Sequence, residues 1–149
     1  MSVKWLKILK LVCMEAQAMW VILRRDSVAA GDDADAPHEK TITVPDGSGI
    51  EAIIITVAKS GYLASISGGK ATWSATSNIP LAVVAQEWEQ PRMVSAFPVD
   101  WKQLNWERDV LRLYFTYYAQ LDPQLVYETL RRWVQSAGNG KGASVRAPY

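Results

Sequence analysis

Apolar and polar positions alternate with period two in three consecutive stretches of this chain. Ile53, Ile55 and Val57 alternate with Ile54 and Thr56, Tyr62, Ala64 and Ile66 with Leu63, Ser65 and Ser67, and Ala71, Trp73 and Ala75 with Thr72, Ser74 and Thr76. That spacing places successive side chains on opposite faces of a sheet and predicts three strands. Ser60-Gly61 and Gly68-Gly69 supply turn signals between them. Lys40 to Val44 is a further strand candidate, closed by the turn-forming run Pro45-Asp46-Gly47-Ser48-Gly49. The expectation is a four-stranded, mostly antiparallel meander over residues 40–76.

Helical spacing is read on either side of it. Trp5, Leu9, Val12, Ala16, Trp20 and Leu23 fall on one stripe, with Lys4, Lys7 and Lys10 opposite, which predicts an N-terminal amphipathic helix over 1–25. Ser77-Asn78 before Pro80, with Leu81, Val84, Ala85 and Trp88 as the inner stripe, predicts a helix over 78–90. Asp100 with Gln103 forms a potential capping box for a helix from Trp101 to Gln120. Its polar residues Asn105, Arg108, Asp109, Arg112 and Thr116 gather on one side of the wheel, and its aromatic remainder is expected to lie across the sheet. Asp122-Pro123 opens a last helix with Val126, Leu130, Trp133, Val134 and Ala137 inward and a stop at Gly138. The chain is thus expected to be one α+β domain over 1–138: an N-terminal helix, an acidic loop over 26–39, the sheet, one helix, a helical pair over 100–138, and a flexible tail over 139–149.

Composition sharpens this mainly by exclusion. At 149 residues, 49% hydrophobic and 21% charged, the chain has the makeup of an ordered domain. Its net charge of +1 conceals local asymmetry, since residues 1–25 carry five basic groups against Glu15 and residues 26–51 carry seven acids against Lys40. Cys13 is the only cysteine and His38 the only histidine, so an intramolecular disulfide and a cysteine-rich zinc site are excluded. Asp32, Asp33, Asp35, His38 and Glu39 lack the calcium-loop order and read as a solvated loop. No metal, cofactor or catalytic residue is assigned. Nucleophile-elbow, phosphate-loop and zinc-protease motifs are all missing.

The N-terminal stretch lacks both an uncharged span long enough for a membrane and a clean secretory apolar run. A cytoplasmic protein is therefore expected, with membrane association disfavoured. Seven tryptophans are an aromatic surplus. With so little catalytic equipment, they point to a non-catalytic protein-binding module of accessory, inhibitor or immunity type, engaging a protein partner or a second copy. Trp5, Trp20 and Trp106 are the candidate interface residues. Two alternatives stand beside it. One is a small nucleic-acid-associated regulator using Arg108, Arg112, Arg131 and Arg132 on the C-terminal helices. The other is an enzyme or small-molecule-binding domain with a pocket between the sheet and the aromatic helix, beside Tyr114 or Tyr117.

Overall fold

In the computed structural model the described residues are 17–28, 38–66 and 68–139. They build an α+β unit around a mixed seven-stranded sheet with two α-helices. In chain order these are β1 (Ala18–Arg25), β2 (Glu39–Pro45), α1 (Ile50–Lys59), β3 (Thr72–Ser77), β4 (Ile79–Ala85), β5 (Arg92–Met93), a single 3-10 turn (Trp101–Gln103), β6 (Trp106–Glu107), β7 (Val110–Tyr117) and α2 (Pro123–Asn139). Both the four-stranded meander and the four-helix count are overturned.

The sheet runs β2-β1-β7-β3-β4-β5. β1 is parallel to β7, with Val21 opposite Leu111 and Arg24 opposite Tyr114, and the other pairings are antiparallel. The far edge of β7 is shared end to end: β3 takes Tyr114–Tyr117 and β6 takes Val110–Leu111. At that junction the Asn105 amide donates to Ser77 Oγ at 2.8 Å, and the Arg112 amide donates to the Asn105 carbonyl at 2.9 Å.

The corrections follow from which period each segment obeys. Ile50, Ile53, Ile54 and Val57 are buried while Glu51, Ala52 and Thr56 are exposed. That is an i, i+3, i+4, i+7 stripe, so the triple isoleucine forms α1 rather than a strand. Residues 62–66 form no strand, and Gly68 and Gly69 (φ 95° and 72°) lie in the loop that leads from α1 to β3. The hairpin falls instead at Asn78, whose φ of 59° is a left-handed conformation that asparagine tolerates better than most residues. Asn78 therefore turns β3 into β4 and caps no helix. Leu81 through Ala85 are all buried because β4 is covered on both faces. The predicted helix over 101–120 shrinks to the 3-10 turn, where the Asp100 side chain accepts from the Lys102 amide, and its greasy C-terminal half is β7. The start of α2 matches expectation, with Asp122 Oδ1 accepting from the Gln124 amide at 3.0 Å. The 1–25 helix is corrected over Ala18–Arg25, which is β1. Its first sixteen residues, most of the acidic loop, and 140–149 of the predicted tail lie outside the described residues.

Two layers of core result. On the inner face, Val21, Leu23, Leu111, Leu113, Phe115, Trp73 and Val84 pack with the isoleucines of α1. On the outer face, Val83 and Val94 meet Val126, Leu130 and Val134 of α2, with Trp88 edge-on to Tyr127. α2 thus covers the β4 end of the outer face, and the β2-β1-β7 end carries no described helix. Among the described residues, no helix is long and apolar enough to cross a membrane.

Candidate contact face on the outer side of β1 and β7

The alternation along β1 decides which side chains reach this open end. Val21 and Leu23 point inward with 0% and 1% exposure, so Trp20, Ile22 and Arg24 point outward. The same parity along β7 sends Leu111, Leu113 and Phe115 inward and Arg112, Tyr114 and Thr116 outward. β2 extends the surface with Thr41 opposite Ile22 and Thr43 opposite Trp20. Trp20 is 54% exposed and Tyr114 43%, large values for aromatics inside regular strands.

Asp26, immediately after β1, fastens the rim. Its amide donates to the Phe115 carbonyl at 3.0 Å, and its Oδ2 accepts from the Tyr117 amide at 2.9 Å. Its Oδ1 accepts the phenolic hydrogen of Tyr114. The hydrogen bond to Asp26, then partial burial, then the nearby carboxylate charge push the Tyr114 phenol up to about 12. Tyr114 is therefore a neutral proton donor at ordinary pH and supplies no phenolate base.

Arg24 and Arg112 flank Ile22 and Tyr114. Arg24 Nε donates to Glu39 Oε2 at 2.6 Å, both partners being about half exposed. Arg112 pairs through one terminal nitrogen with Glu107, and its Nε is buried with no partner among the described residues. Between the two arginines lies a groove of about 160 Å³ lined also by Thr76, Ser77, Asn78 and Asn105.

The sequence candidates are dispersed by this geometry. Trp20 lies on the face, and Trp5 lies outside the described residues. Trp106 is half-buried against the inner core, donates its indole N–H to the Trp101 carbonyl at 2.8 Å, and lies 6.1 Å from the Trp101 ring. Of the four arginines, Arg112 alone lines the groove. Arg108 occupies the turn between β6 and β7, where its φ is 56°. Arg131 and Arg132 are exposed on α2, with Arg132 4.0 Å from Glu128. Arg112 on β7 and the α2 pair are thus separated, since α2 packs on β4, two strands away from β7. The predicted aromatic helix is itself the sheet strand β7, so among the described residues no pocket lies between that helix and the sheet; the hollow beside Tyr114 is the groove. Sequence reasoning missed Arg24, Asp26 and the outward role of Tyr114, for which the strand alternation of β1 and β7 was the available signal. Among the described residues no cluster of three His, Cys, Asp or Glu side chains could hold a metal. Comparison with family models, with curated proteins and with solved structures finds no match.

Proposed function

We propose that this chain is a non-catalytic protein-binding module that receives its partner on the outer face of β2, β1 and β7. The observation that carries this reading is Trp20, half exposed on a sheet face whose opposite side buries Val21 and Leu23 of the same strand. Tryptophan, tyrosine and arginine are the residues that most often dominate interfaces, and Trp20, Tyr114, Arg24 and Arg112 share this one face. β-strands hold such side chains in fixed positions, which lowers the ordering cost of association. An accessory, inhibitor or immunity-type role fits a surface of this kind. The nucleic-acid reading has less support, because Glu39, Glu107 and Asp26 lie beside the groove arginines and offset their charge.

The test is affinity capture from the native host with the wild-type chain and with Trp20→Ala, read by quantitative mass spectrometry. Truncating a central tryptophan costs about 2 kcal/mol or more, roughly thirtyfold in affinity, so a specific partner should be largely lost from the variant. An identical set of retained proteins would exclude Trp20 as the anchor.

A further inference from the structure

Each arginine in the groove is only half used. Arg24 spends its Nε on Glu39, which leaves both terminal nitrogens without a partner among the described residues. Arg112 spends one terminal nitrogen on Glu107, and its buried Nε and second terminal nitrogen are unengaged. Around them the Thr76 hydroxyl and the Asn105 side-chain amide also meet no partner among the described residues. Asp26 is already committed, taking Tyr114 on one oxygen and the Tyr117 amide on the other, and Glu39 and Glu107 do not line the groove. Unused donors thus outnumber unused acceptors inside the groove, and a guanidinium edge with two free N–H groups matches a carboxylate bidentately. Ile22 and Tyr114 give the groove an apolar wall.

We infer that the groove between Arg24 and Arg112 takes a single carboxylate side chain from the protein partner. This rests on the contact face proposed above and narrows it to one chemical class of ligand. The carboxylate replaces solvent on the free terminal nitrogens while Glu39 and Glu107 hold the two guanidiniums in place. Those glutamates also keep the groove from attracting polyanions at long range, which separates it from a phosphate-backbone site.

The probe is acetyl-Glu-Glu-amide, titrated into the full chain while the Nε–Hε NMR signals of Arg24 and Arg112 are followed. Acetyl-Gln-Gln-amide, inorganic phosphate and sodium chloride serve as parallel arms. Charge-assisted hydrogen bonds predict saturable shifts at both arginines and binding about tenfold tighter than for the glutamine peptide. Arg24→Gln, with an otherwise unchanged spectrum, should weaken the Arg112 response about fivefold or more, and Arg24→Lys should restore part of it. Equal responses to the two peptides, or a linear response like that to chloride, overturn the inference. Tighter binding of phosphate than of the glutamate peptide overturns it as well and assigns the groove to a phosphate-bearing ligand. Silent arginine signals together with loss of capture in Trp20→Ala leave the contact face standing and remove the acidic ligand alone. A saturable glutamate response with capture unchanged supports the groove and removes Trp20 as its neighbouring anchor.

Discussion

The phenol of Tyr114 and the carboxylate of Asp26, 88 positions apart in sequence, are hydrogen-bonded across the end of β1. Because Asp26 also receives the Tyr117 amide and donates its own amide to Phe115, this one residue fixes where β1 ends against β7. Its replacement should loosen the parallel pair on which the outward display of Trp20 and Arg24 depends. Asp26→Ala removes the carboxylate that the Tyr117 amide and the Tyr114 phenol both donate to, so a loss of about 1–3 kcal/mol is expected in denaturant melts. Trp20→Ala, at an exposed site, should stay within about 0.5 kcal/mol of wild type.

The same pair sets an alkaline limit. The Tyr114 phenol is raised from 10.0 to about 12, so the folded chain holds this proton more tightly than the unfolded one. The stabilisation is therefore complete below about pH 10 and is lost as pH rises toward 12. Measured by denaturant melts across that window, the wild type should lose more stability than Asp26→Ala, in which the raising partner is gone. Equal losses would place the Tyr114 titration outside folding.

Phe115 is 0% exposed at the centre of the inner face, edge-on to Tyr62 with ring centroids 6.2 Å apart. Truncation to alanine removes a large buried side chain beneath the open face and should cost about 3–5 kcal/mol. Thermal melts check this, and a loss below about 1 kcal/mol would place residue 115 outside the core.

Gln86 acts as a clamp on the loop between α1 and β3. Its Oε1 accepts from the Ile66 amide at 3.1 Å and the Ala71 amide at 3.3 Å, while its backbone N–H donates to the Ala71 carbonyl at 2.8 Å. Gln86→Ala should speed hydrogen exchange at Ile66 and Ala71 while leaving exchange in β7 unchanged. Uniform acceleration across the sheet would show a global rather than a local effect.

How far the sequence reveals this arrangement depends on which of two periods dominates a stretch. In residues 101–120 the polar positions 105, 108, 109, 112 and 116 mimic a helical face, yet Arg108 and Asp109 belong to a turn and Arg112 and Thr116 to one side of a strand. Read over residues 110–117 alone, Leu111, Leu113, Phe115 and Tyr117 alternate with period two, and the strand is visible. The isoleucine run errs in the other direction: β-branched residues suggest a strand, while burial of Ile50, Ile53, Ile54 and Val57 follows 3.6 residues per turn. β4 carries no alternation to read, because sheet faces on both sides are covered. β2, β3 and α2 announced themselves through clean alternation or through Asp122-Pro123. Of the contact face, Trp20 could be singled out for its residue type, but Arg24, Arg112 and Tyr114 meet only through the parallel β1–β7 register, which no local pattern encodes.

The central claim is that a protein partner lies against the outer face of β2, β1 and β7, and photo-crosslinking tests it most directly. Benzoylphenylalanine placed at Thr43, beside Trp20 on the exposed face of β2, or at Arg132 on α2, samples the two regions without altering Trp20 itself. Efficient adducts from position 43 that disappear in Trp20→Ala, with few or none from position 132, are the predicted result. Adducts confined to position 132, or adducts at 43 indifferent to Trp20, would contradict it.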